Sequence, residues 1–208
     1  MARVTGPLFS MSASGTVGKT ITFASWKGRA YVRERVIPAN PKSAKQTGIR
    51  AMMSFLSQAW TSISALSKAT WEELAAQKSI STFNAFGSET LSRWQNVSTP
   101  TQTYPAAEAS TPLTVTTQTL TGGEGCVTVA ITPSGDTNIW GLLVFRDTAE
   151  ITAPSWANCV AVLMANGANA VTWVDSPLDA GTYHYRTAVF NTDGILGTVK
   201  ADDTAVAT

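Results

Sequence analysis

Polar and apolar residues alternate from Thr20 to Trp26 and again from Arg29 to Val36, and only Lys27-Gly28 separates the two runs. That pattern predicts a β-hairpin. Residues 10–37 as a whole read as extended, with Ser14-Gly15-Thr16 and Gly18 as turn signals. After Pro41 the period changes. Asn40-Pro41 has the form of a helix start, with Asn as N-cap and Pro in the first turn. Ile49, Met52, Met53, Leu56, Trp60 and Ile63 then recur at three- and four-residue steps, which predicts an amphipathic helix to about Ser64. A second helix is expected from an N-cap at Ser67 to Lys78, carrying Trp71, Leu74 and Ala75, with Leu66 and Trp71 as a hydrophobic staple. A third, over about 82–96, carries Phe83, Phe86, Leu91 and Trp94.

Residues 98–112 hold three prolines and no apolar period, the composition of an extended linker. Beyond it, short alternating runs fall at about 113–120, 125–132, 139–147, 159–164, 170–175, 181–190 and 194–200, separated by Gly, Pro, Asn and Asp. Seven strands so spaced predict an antiparallel β-sandwich. The expected fold class is therefore α+β and multidomain: a hairpin with a small helical bundle (1–97), a linker (98–112) and a seven-stranded sandwich (113–208).

Charge sharpens this division. Residues 1–100 hold twelve Lys/Arg against four Asp/Glu, whereas residues 101–208 hold three against ten. A basic half suits an acidic surface or a phosphate backbone, and an acidic half suits outward exposure. A lone hairpin is marginal in water, so the basic one needs a partner surface. The start of the chain has no apolar stretch of signal-peptide type, and no run approaches a bilayer span, so synthesis in a cytoplasm and no membrane partner are expected.

Candidate chemistry is sparse. Cys126 and Cys159 are not spaced as a metal pair or redox motif; they read as thiols on strands, their pairing left open. His184 is the only histidine, so no metal set, cofactor or catalytic triad is expected, and the chain reads as a non-enzyme. Gly18-Lys19-Thr20 resembles the end of a phosphate-binding loop, but Ala13 stands where the first glycine is needed and a strand pattern follows. It is expected to be a hairpin turn. Helices with Trp71-Glu72-Glu73-Leu74 put acids where a DNA-reading helix needs Arg, Asn or Gln, which leaves only weak, non-specific DNA contact through Lys27, Arg29, Arg33 and Arg35.

Two resemblances add a setting. Residues 178–194, which include Gly181-Thr182-Tyr183-His184-Tyr185, resemble the tyrosine-corner strand of fibronectin type III and related immunoglobulin-like domains. In those domains Tyr183 would bond back to the preceding backbone. Over residues 10–96, Gly15-Thr16-Val17-Gly18-Lys19-Thr20-Ile21-Thr22-Phe23, Trp26-Lys27-Gly28-Arg29, Asn40-Pro41-Lys42-Ser43, Phe55-Leu56-Ser57-Gln58-Ala59-Trp60 and Leu66-Ser67-Lys68-Ala69-Thr70-Trp71 are similar to uncharacterised tailed-phage and prophage virion proteins. The resemblance implies a structural protein of the virion, made in the host cytoplasm. Its partners would be capsid, neck or tail proteins, and it would act as a homo-oligomer or ring. Capsid decoration or a head fibre is the favoured place; a neck or tail adaptor and a host-surface, glycan-binding adhesin are the alternatives. The expected interface is Trp26, Tyr31 and Trp60 as aromatic anchors, with Lys27, Arg29, Arg33 and Arg35 giving orientation and on-rate.

Overall fold

The computed structural model describes residues 14–37, 40, 42–106, 113–134, 138–165, 167 and 169–208. Pro41, residues 10–13 of the extended stretch and residues 107–112 of the expected linker lie outside them. The chain is α+β, with a small helical part and antiparallel sheets, and it divides into two compact units, Met1–Pro41 and Lys42–Thr208.

The first unit is a three-stranded antiparallel sheet in the order β1-β2-β3, with β1 Gly15–Val17, β2 Ile21–Trp26 and β3 Arg29–Glu34. Lys27 and Gly28 both take positive φ, 49° and 75°, which gives the two-residue turn a twist that matches the strands. Gly18-Lys19-Thr20 is the turn between β1 and β2, closed by Thr20 N–H to Val17 C=O at 3.2 Å. Arg35 N–H extends the ladder to Thr20 C=O at 2.6 Å.

The second unit begins with four helices, α1 Ala44–Ser62, α2 Ala65–Ala69, α3 Glu72–Lys78 and α4 Thr82–Trp94. The expected single helix after Ser67 is two. Ser64, not Ser67, caps α2, accepting from Ser67 N–H at 3.1 Å. The chain then breaks at Thr70-Trp71 because Trp71 turns into the core, against Phe86 and Tyr104, with Nε1–H donating to Gln102 C=O at 3.0 Å. Leu66 is 85 % exposed, so the expected staple is not formed.

Ten strands lie in three sheets among the described residues, where seven in one sandwich plus a hairpin are expected. After the helices come β4 Val115–Gly123, β5 Cys126–Pro133, β6 Ile139–Asp147, β7 Cys159–Met164, β8 Val171–Asp175, β9 Gly181–Asn191 and β10 Asp203–Ala207. They form a four-stranded sheet, β10-β9-β6-β7, and a three-stranded one, β4-β5-β8. Val127, Val129 and Ile131 of the smaller sheet share a buried cluster with Leu142, Val144, Tyr185 and Val189 of the larger. The last strand is not at 194–200. That segment makes only isolated bridges, Phe190 to Leu196 and Thr114 to Thr198, while Leu196 and Val199 pack on the helical core.

The structure divides the chain elsewhere than residues 98–112. The larger sheet is buried on both faces: Met52, Phe55, Leu56 and Ala59 of α1 share one cluster with Trp140, Leu143, Phe145, Ala188 and Phe190. Phe55 meets Trp140 and Phe190 edge-on, with ring centroids 5.2 and 5.3 Å apart. A Cβ at Gly48 would collide with the Trp156 carbonyl, so glycine lets α1 reach the loop before β7. The described part of the expected linker is a seam, not a spacer: Thr99 and Thr101 are buried and Gln102 N–H donates to Thr192 C=O at 2.9 Å.

Candidate interaction surface

Directly opposed residues of an antiparallel pair project from the same face. The pairs Trp26–Arg29, Ala24–Tyr31 and Thr22–Arg33 therefore put Trp26, Arg29, Tyr31 and Arg33 on one face of the N-terminal sheet. The pairs Phe23–Val32 and Ile21–Glu34, with Val17 opposite Ile21 on β1, give the other face an apolar strip. The sheet thus has a cationic–aromatic side and an apolar side.

Trp26, Arg29 and Tyr31 line an open cavity of about 360 Å³, and Lys27 Nζ lies 4.8 Å from the centroid of the Trp26 ring. Trp26 is 66 % exposed and Val32 53 %. Among the described residues Arg29, Arg33 and Arg35 form no ion pair. Unpaired guanidiniums beside exposed rings can bind a planar or carboxylate-rich surface by stacking and bidentate hydrogen bonds.

Of the seven residues expected at the interface, six belong to this unit. Trp60 does not. It packs with Phe83 and Phe86 at 5.8 and 5.3 Å, under Lys68, and works as a core residue of the helices.

Tyr183 Oη–H donates to the Asp179 carbonyl at 3.0 Å, the backward bond a tyrosine corner needs. The deeper tyrosine is its neighbour on the same strand face, Tyr185, which is fully buried and donates to Asp175 Oδ2 at 2.9 Å. Arg146 Nη1 grips both oxygens of Asp175 at 2.8 and 2.7 Å, so one cluster joins β6, β8 and β9 across the two sheets. Burial first, and the Asp175 charge second, hold the Tyr185 hydroxyl well above its usual range. The two-residue spacing of Tyr183 and Tyr185 carried that signal in the sequence.

His184 Nδ1 lies 2.6 Å from Asp202 Oδ2, whose other oxygen accepts from Ile151 N–H, and so serves as a tie between strands and loops. Cys126 and Cys159 are both free; burial pushes the Cys159 thiol up to about 12. Among the described residues no group of His, Cys, Asp or Glu could hold a metal ion, and no helix is long and apolar enough to cross a membrane.

No family model and no curated protein matches the sequence. Solved structures that are similar in part include the following two. One is a family 76 glycoside hydrolase from a bovine Bacteroides thetaiotaomicron strain, with TM-score 0.36 and 10 % identity over 45 % of this chain. The other is the PmoD soluble domain from Methylocystis sp. ATCC 49242 (Rockwell), with TM-score 0.31 and 12 % identity over 42 % of this chain. The matches span 20 % of the hydrolase and 77 % of the PmoD domain.

Proposed function

We propose that this chain is a non-enzymatic structural protein of a tailed-phage virion, a capsid decoration or head-fibre protein that docks by its N-terminal sheet and carries the rest outward. The observation behind this reading is the sheet itself. Three short strands with large apolar residues exposed on both faces do not make a core, and such a sheet gains stability only against a partner. Its net positive charge favours an acidic partner surface and a fast encounter.

The strands from β4 to β10 read as an immunoglobulin- or fibronectin-like sandwich fused to a helical layer. The first, second and fifth of the seven form one sheet, the other four form the second, and Tyr183 supplies the corner. Such a body is a spacer or display module whose fold names no target.

Mass spectrometry of tailed particles purified from the strain that encodes the chain tests the reading. Stoichiometric amounts on particles are expected; absence from them overturns it.

A further inference from the structure

Four strands end the two sheets between β4 and β10: β10 and β7 in the larger, β4 and β8 in the smaller. On one side the edges close. A Cβ at Gly122 would collide with the Val206 carbonyl, so β4 and β10 meet backbone to backbone. Gly125 N–H to Thr208 C=O at 2.8 Å and Thr208 N–H to Gly123 C=O at 3.0 Å fasten the end of that seam. On the other side the edges stay apart. A cavity of about 250 Å³ follows residues 160–164 of β7, walled by Ala51, Ser54 and Gln58 of α1 and by Trp173 of β8. A second, of about 260 Å³, shares Val160 and Trp173 and continues to Thr47 and Lys42. Taken together they reach the size of ligand cavities, about 300–1,000 Å³.

The main chain says what this groove takes. Ala165 N–H donates to Trp140 C=O at 3.0 Å, and Gly141 faces Met164. The alternation of an antiparallel ladder then turns the N–H and C=O of Val162 and Met164 away from β6, toward the groove. No strand pairs with that edge among the described residues. Only another extended chain offers donors and acceptors at matching intervals. The end of the groove adds a charge preference. Lys42 lines it, Ser43 gives α1 no side-chain cap bond, and the first turn of α1 holds no acid. A carboxylate there meets both a cation and the positive end of the α1 dipole. Asp175, which also lines this end, is already held by Arg146.

We infer that the groove between β7 and α1 binds an extended segment of a partner protein by strand addition, with an acidic side chain of that segment seated at Lys42. The inference does not rest on the virion reading.

The probe is a library of random heptapeptides panned against the full chain, with the enriched sequence made as a synthetic peptide and titrated. Acid-containing peptides are expected. Val162→Pro, which removes an edge donor, and Lys42→Glu should each weaken binding about tenfold or more. Should Val162→Pro fail to fold, Ser54→Trp, placed on the exposed flank of α1, fills the groove instead. No enriched peptide, equal binding by the groove-filling and charge-reversed chains, or slow amide exchange of Val162 and Met164 in the free chain would each overturn the proposal.

Discussion

Trp71 and Trp94 in the Lys42–Thr208 unit are 1 % and 0 % exposed, whereas Trp26 in the N-terminal sheet is 66 % exposed. In the larger unit every large ring has neighbours: Trp71 with Phe86, Phe55 with Trp140 and Phe190, and Trp94 Nε1–H on the Gly48 carbonyl at 3.3 Å. There apolar burial does the stabilising, on both faces of one sheet. In the N-terminal sheet Trp26, Tyr31, Ile21 and Val32 are exposed beside arginines that form no ion pair among the described residues. Aromatic side chains therefore make the core of the larger unit and an exposed surface in the N-terminal sheet.

Removing a ring from the shared core should break the larger unit most. Phe55→Ala is expected to cost about 3–5 kcal/mol, and the helices and the β4–β10 sheets should melt together in calorimetry. Two transitions would mean that α1 is an independent layer. Arg146→Ala comes next. It leaves Asp175 buried without its cation, and a loss of about 3 kcal/mol in chemical denaturation is expected, against far less for the double change with Asp175→Asn.

Alkali gives a smaller, graded effect. Cys159 has an ordinary value of 9.0 and is raised to about 12 in the folded state. Below pH 9 its contribution to stability is therefore complete. From there toward pH 12 only the unfolded thiol ionises, so stability falls by up to about 1.4 kcal/mol per pH unit. Tyr185, also raised, adds a loss of the same sign at higher pH. Cys159→Ala should flatten the first part of the curve; an unchanged slope would show that the thiol is not buried. The smallest stability effect belongs to the N-terminal sheet. Arg29→Glu with Arg33→Glu should move the melting of the larger unit by less than about 0.5 kcal/mol while abolishing attachment to an acidic partner surface.

The same contrast explains how much was legible in the sequence. The hairpin was readable because its alternation and the Lys27-Gly28 turn are local signals. The face carrying Trp26, Arg29, Tyr31 and Arg33 followed from that register. The apolar step of α1 was readable too, although Phe55, which meets Trp140 and Phe190 of the β sheet, lies outside that stripe. Long-range packing was not readable. Residues 98–106 have a linker's composition, yet Thr99 and Thr101 are buried by contacts with chain far away in sequence, around Gly194. The apolar run of β6, Ile139 to Phe145, is unbroken and buried throughout. A strand covered on one face alternates; one covered on both does not, and that run announced the helical layer. Asp203–Ala207 escaped because its small residues carry little periodic signal.

Cryo-electron microscopy of particles bearing the full chain tests most directly whether the N-terminal sheet is the docking element. The expected map shows residues 15–34 seated on an acidic surface of the shell, with the face of Trp26, Arg29 and Tyr31 buried. A map in which the Lys42–Thr208 unit makes the contact and Trp26 faces solvent would contradict it.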